Sequence, residues 1–186
     1  RIQGDACDRV QSGSGFVVAE GLVVTNAHVV AGTDRLRLDT PDGAEASGEV
    51  VEFDPRVDLA LVATDLDRPA LPLASPAAGD RGLVLGFPGG GDFDPSPFQV
   101  AQRLDATGYD IYDSGLVERE LLALASQLEP GDSIRAVLRD DGSVIGVAVA
   151  VAPDRPDVAY ALDAVALDEL LVRPRTGAVD TGPCIR

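Results

Sequence analysis

The 186-residue chain has no lysine, methionine or tryptophan and a single histidine, and all 15 of its basic residues are arginine. Without lysine, the glycine-rich stretch Gly86-Phe87-Pro88-Gly89-Gly90-Gly91 cannot be a phosphate loop of the type that ends in Gly-Lys. Gly13-Ser14-Gly15 lacks the third glycine and the following helix of a dinucleotide fingerprint, so both stretches read as places where the backbone turns or is closely approached. One histidine and two cysteines, with no Cys-x-x-Cys pair, exclude a zinc cluster. The 31 acids give a formal charge of −16, which argues against nucleic acid and against an anionic membrane surface as partners. Most of these acids read as a solvated, solubilising surface.

Cys7 and Cys184 stand near opposite ends of the chain. A bridge between them would close a loop of nearly the whole chain, worth roughly 5 kcal/mol on the chain-entropy model, and would require an oxidising compartment. Two free thiols would suit a reducing one. No apolar run approaches the roughly 20 residues of a membrane span, and no signal peptide is present, as expected of a mature extracytoplasmic domain.

What is abundant is short apolar or alternating segments punctuated by turn residues. Ser12–Val18 and Leu22–Thr25 read as a hairpin around Ala19-Glu20-Gly21, followed by strands at 36–38, 45–53 and 59–63. The second half repeats the pattern at 82–86, 99–107, within 118–128, at 134–138 and 144–151 around an Asp141-Gly142 turn, and at 158–161. No amphipathic helix of useful length intervenes until 164–172, where Leu167, Leu170 and Leu171 fall at helical spacing. The fold expected is therefore all-β, a double antiparallel barrel with a short C-terminal helix. An N-terminal lobe would occupy 10–71, a Pro/Ala-rich crossing 72–80, the second lobe and helix 81–172, and a tail 173–186.

The sole histidine ends the apolar run Leu22-Val23-Val24-Thr25-Asn26-Ala27-His28. Imidazole can act as base or acid near neutrality, and it needs a nucleophile in reach and a carboxylate to hold its ring. Ser133 in Gly131-Asp132-Ser133 is the candidate nucleophile, with the amides of Gly131 and Ser133 as an oxyanion hole and Pro130 pre-setting the bend. Asp58 is the candidate carboxylate, because it immediately precedes the apolar segment 59–63 and would sit sheltered at its mouth. Asp54 is the fallback, ahead of Asp34 and Asp65. Because His28 must be neutral to take the serine proton, acyl transfer is expected to decline in acid.

Thr25-Asn26-Ala27-His28-Val29-Val30, Val57-Asp58-Leu59-Ala60-Leu61 and Gly131-Asp132-Ser133 together resemble the three signature blocks of chymotrypsin-fold serine proteases, especially bacterial trypsin-like and HtrA-type members. With Gly86–Gly91, Asp110-Ile111-Tyr112 and the terminal cysteines, the resemblance extends to periplasmic domains of membrane-anchored acid-resistance proteases of actinobacteria. It implies a double β-barrel with the site between the lobes, no metal or cofactor, His28 as base, Asp58 as its orienting acid, Ser133 as nucleophile, and Cys7 bridged to Cys184. It also implies an oxidising periplasmic location, protein or peptide substrates, and a membrane anchor outside these residues, with no direct membrane contact by the domain itself.

One departure stands out. Where that family follows the serine with Gly-Gly-Pro, this chain has Ile134-Arg135-Ala136, and isoleucine at a position needing positive φ would cost on the order of 1 to 2 kcal/mol. A catalytically weakened, peptide-binding pseudoprotease is therefore the rival reading. Arg135 would pair with Asp132, favour acidic substrates or, most simply, point to solvent. Substrate is expected to contact Gln127 and Pro130 and to pair in β fashion with the strand carrying Gly146 and Val149.

Overall fold

The computed structural model describes residues 1–6, 8–87, 91–128 and 135–185, and two sheets organise them. The first holds β1 (Ile2–Ala6), β2 (Arg9–Gly13), β3 (Phe16–Ala19), β4 (Leu22–Thr25), β5 (Leu36–Asp39), β6 (Glu45–Asp54) and β7 (Leu59–Thr64), with the single-turn helix α1 (Ala27–Val30) after β4. Its spatial order is β2-β1-β5-β6-β7-β4-β3. The two outermost strands are separated in the chain only by Ser14 and Gly15, so the sheet has to curl until its edges nearly meet. The second sheet, β8 (Arg81–Gly86), β9 (Asp94–Tyr109), β10 (Leu116–Ala125), β11 (Arg135–Arg139), β12 (Val144–Ala152) and β13 (Arg155–Asp163), closes into a barrel, and α2 (Val165–Leu171) follows. Every strand pair within the two sheets is antiparallel, and the architecture is chymotrypsin-like.

Period-2 burial explains why the central strands are apolar throughout. On β7, Ala60 and Val62 pack inside the first sheet with Ile2, Val29 and Leu38. The alternate residues Leu59 and Leu61 face a core shared between the lobes, where they meet Ala136, Val144, Val147, Leu162, Leu167 and Leu170. β12 behaves likewise, sending Ile145 and Ala148 into the barrel and Val144 and Val147 to the shared core. Fixing the two lobes through one common core is what gives a site between them a defined geometry.

The segment expected as a single strand over Ser12–Val18 is instead broken into β2 and β3. A Cβ on Gly13 would lie 2.5 Å from Val29 Cγ2, and one on Gly15 would lie 2.7 Å from the Val24 carbonyl oxygen. The backbone here passes directly under β4 and α1, as the reading of these glycines as close-approach positions anticipated.

Two features tie the lobes together at the rim. The β9–β10 hairpin projects from the barrel, and its tip donates the Ile111 amide to the Pro55 carbonyl at 3.2 Å, while Arg119 Nε donates to the Arg56 carbonyl at 2.9 Å. From the end of α2 the tail returns over the first sheet. Arg173 donates to Glu52 at 3.0 Å and to Asp54 at 2.8 Å, and the Thr181 carbonyl accepts from the Gly32 amide at 3.2 Å.

Asp54 is buried, which by itself pushes its carboxyl up, but hydrogen bonds from Arg56 and Arg173 outweigh burial and hold it below the usual carboxylate range. A depressed folded-state pKa contributes stability above the unfolded value, about 3.9, and that contribution is lost as pH falls through the folded one. Arg173→Ala is therefore expected to cost about 1 to 2 kcal/mol at pH 7, with the difference from wild type shrinking below about pH 4. Denaturant melts of both proteins across pH 3 to 7 check this; a constant difference would contradict it.

Candidate active site

β4 delivers the chain into α1 so that Asn26 and His28 stand at the mouth of the first sheet. Thr25, fully buried, donates its hydroxyl to the Ser14 carbonyl at 2.8 Å, and the Ser14 hydroxyl in turn accepts the Phe87 amide of the second lobe at 2.7 Å. His28 is therefore mounted on backbone fixed from both lobes.

Asp58 lies one residue before β7 in the left-handed region, φ 57°, a conformation aspartate tolerates better than most residues. All three of its oxygens are engaged. The carbonyl accepts from Asn26 Nδ2 at 2.8 Å, Oδ1 accepts the His28 backbone amide at 2.9 Å, and Oδ2 meets His28 Nδ1 at 2.8 Å. Because an ionised carboxylate only accepts, the proton between them belongs to Nδ1, and Nε2 is left as an acceptor facing away from Asp58. The His28 side chain is 32% exposed and that of Asp58 17%, so the aspartate is the more sheltered of the pair.

The rival carboxylates are elsewhere. Asp54 is committed to Arg56 and Arg173, and Asp34 and Asp65 are exposed. Gly131, Ser133 and Pro130, expected as oxyanion hole, nucleophile and substrate contact, lie outside the described residues, as do Ile134 and Cys7. The chain re-enters at Arg135, two positions after Ser133, where it pairs with Ala148 of β12. The next residue, Val149, lines a cavity of about 240 Å³ together with Asp58, Val57, Tyr109, Ile111 and Leu162. Asp58 and Val149, the residue after the β12 partner of Arg135, thus line one cavity.

The other substrate-contact expectations fare unequally. Gln127 is exposed beyond β10. Gly146 is buried and paired on both sides, with Val137 and with Asp163, so its backbone has no free edge for a substrate strand; a Cβ there would lie 2.5 Å from the Leu162 carbonyl oxygen. Past Ala148, β12 continues to pair with β13, and among the described residues nothing pairs with it on the β11 side. Among the described residues β12 is therefore unpaired on that side from Val149 onward.

Arg135 does not point to solvent. It is 1% exposed, with Nη1 donating to the Ser96 hydroxyl at 3.3 Å and 3.7 Å from Asp94. β11 is an interior strand of a closed barrel, so residue 135 shares the inward face with Val137 while Ala136 faces the shared core.

The hairpin residues Tyr109 and Arg119 on this cleft went unnoticed in the sequence, and Ile111 entered only through the resemblance, because they sit at an alternating, half-exposed tip that resembles any solvent-facing ribbon. The tip is held by Asp110, whose carboxylate takes hydrogen bonds from the Ser114 hydroxyl and from the amides of Ser114 and Tyr112 and is thereby kept below its usual range. Cys184 lies beside Gly32 at the end of the tail, 2.7 Å from where a Cβ on that glycine would stand. Among the described residues no group of three His, Cys, Asp or Glu side chains is placed to hold a metal ion.

Comparison with known proteins agrees with this geometry. Residues 13–147 match the family model described as trypsin-like peptidase domain. Serine protease Rv3671c of Mycobacterium tuberculosis is 35% identical over 184 residues, covering 96% of this chain and 46% of the relative. A probable periplasmic serine endoprotease DegP-like of Halomonas elongata is 30% identical over 150 residues, covering 78% of this chain and 30% of its own length. This chain thus spans about half, or less, of the relatives it matches. The crystal structure of the Rv3671c protease in its active form superposes with a TM-score of 0.93 at 33% identity, covering 100% of this chain and 84% of that one. On the fold, the His–Asp arrangement and these matches together, the chain belongs to the trypsin-like peptidase domain family of serine proteases.

Proposed function

We propose that this chain is the catalytic domain of a serine endopeptidase that acts outside the cytoplasm, with Ser133 as nucleophile, His28 as general base and Asp58 as the group that orients the ring. The observation that carries the reading is the two-point grip of Asp58 on residue 28, amide and imidazole at once, which leaves Nε2 alone to receive a proton. In the first half-reaction Ser133 Oγ attacks the substrate carbonyl carbon as its proton passes to Nε2, and the Gly131 and Ser133 amides take the charge on the oxygen. The imidazolium, stabilised by Asp58, then protonates the leaving amine as the C–N bond breaks. Water, deprotonated by the same nitrogen, releases the acyl group from the serine. Asp58 stays ionised throughout.

The closeness to the active-form crystal structure, TM-score 0.93 against 0.78 for an inactive form of the same protease, favours the enzyme over the pseudoprotease. A solved HtrA-type protease AlgW with a decapeptide, 28% identical and with a TM-score of 0.71, supports peptide binding, and the proposal lays an extended substrate along β12 from Val149. An extracytoplasmic site, a Cys7–Cys184 bridge, a membrane anchor outside these residues and a role in acid or envelope stress complete the proposal. The periplasmic DegP-like relative supports the location, and the absence of a free cysteine among the described residues supports the bridge. The Asp54 carboxyl, held below the usual carboxylate range by Arg56 and Arg173, keeps its salt links in mild acid.

The test is incubation of the oxidised domain with an unfolded protein substrate at pH 7, with and without a serine-directed sulfonyl fluoride, products read by mass spectrometry. Inhibitor-sensitive internal cleavage is the expected result. Substrate binding with no cleavage would establish the pseudoprotease instead.

A further inference from the structure

We propose that Arg9 makes the leaving-group side of the cleft select substrates with an acidic residue shortly after the scissile bond; this rests on the endopeptidase reading above. A second cavity, of about 390 Å³, opens beside the imidazole and is lined by Arg9, Gln11, His28, Ile111 and Ile185. Asp58, Val149 and Ala150 line the other cavity and not this one. If substrate enters along the β12 edge, the space walled by His28 on the far side receives the amine product, since His28 is the group that protonates it.

β2 is built to hold that product. It is an edge strand, paired only with β1 among the described residues, so its outer side offers backbone donors and acceptors to an extended chain. Arg9 and Gln11 are two apart on it and therefore share a face, the one turned to the cavity.

Charge decides which chain fits best. Arg9 is exposed, and among the described residues no carboxylate lies within ion-pair distance of it. The other arginine at the cleft, Arg119, is occupied by the carbonyls of Arg56 and Tyr109. A molecule of net charge −16 repels acidic peptides in general, so an uncommitted guanidinium beside the imidazole marks a part of the cleft where a carboxylate is welcome. Its planar fork suits bidentate pairing with a Glu or Asp side chain, while Ile111 and Ile185 flank the stem of that side chain.

The experiment uses internally quenched peptides identical except for Glu, Gln or Lys at one of the first three positions after the cleaved bond. Wild type is expected to show kcat/KM in the order Glu, Gln, Lys, with about a tenfold span at low ionic strength that narrows in 0.5 M salt, roughly the sum of one attraction and one repulsion at an exposed site. Arg9→Gln should flatten the series to within about twofold, and Arg9→Glu should invert it. A series unchanged in Arg9→Gln, or no preference in wild type at any of the three positions, overturns the proposal. Should wild type cleave none of the peptides, the endopeptidase reading fails. The inference is then decided by calorimetric affinity of the same peptides for Ser133→Ala. The order Glu, Gln, Lys, lost when Arg9→Gln is added, upholds it, and equal affinities overturn it.

Discussion

Asp58→Asn is expected to lower kcat by about 10⁴-fold while leaving the fold intact, as the equivalent change does in known triads. Asparagine is the instructive substitution because it accepts the left-handed backbone at this position, φ 57°, almost as readily as aspartate, so its effect is not one of strain. Its volume and shape are conserved, and its side-chain oxygen can still accept the His28 amide in place of Oδ1. That leaves an NH2 group opposite Nδ1, which must then present its lone pair and move its proton to Nε2. In that tautomer the ring cannot take a proton from serine. Steady-state kinetics on one peptide, with a thermal melt to show retained structure, checks the expectation. A loss below about tenfold would mean that Asp58 merely packs against the histidine.

The second large effect concerns a residue with no side chain. Gly13→Ala would place a methyl 2.5 Å from Cγ2 and 3.3 Å from Cβ of Val29, and Val29 is fully packed in the core of the first sheet. Val29 adjoins His28 on a helix of only one turn, so relief of the clash displaces α1 and with it the imidazole. The expected cost is about 1 to 3 kcal/mol in stability, typical of an overpacked core. Displacing the base by a fraction of its reach should reduce kcat/KM by about 10²-fold with little change in KM. Gly13→Ala combined with Val29→Ala vacates the space and should recover most of the rate, a coupling that a double-mutant cycle measures. Wild-type kinetics in the single variant would show that α1 is not held from below in the way described.

Chain order and pattern were enough to single out Asp58 and His28, which the structure brings within hydrogen-bond distance of each other. The reason is local: Asp58 abuts a strand buried on both faces, Leu59 to Val62, and such a strand announces itself as an unbroken apolar run wherever it occurs. Elements that depend on an edge were harder. β9 starts at Asp94, well before the strand expected from residue 99, because Pro95 and Pro97 read as breakers. They are tolerated since that part of β9 pairs only with β8, opposite Leu85 and Leu83, while β10 joins from Gln99 onward. Ile2–Ala6 gave no signal, because Gly4 and Asp5 interrupt its alternation and only pairing with both β2 and β5 makes it a strand.

Long-range electrostatics was not legible at all. Arg173 bonds Asp54 across 119 residues of chain, and nothing near either residue marks the pair. Arg135 was misplaced for a related reason. Read as a lone cation it belongs in water, and only the closure of the barrel turns its position inward towards Ser96. Gly146 was misjudged because strand membership was evident in the sequence but the second neighbour of β12 was not.

The central claim is most directly tested by treating the oxidised domain with a fluorophosphonate probe at pH 7 and mapping the adduct by peptide mass spectrometry, with His28→Ala in parallel. A single adduct on Ser133 in the wild type, and its loss in the histidine variant, is the predicted result. No adduct on Ser133, or one that forms as fast without the imidazole, would contradict the account.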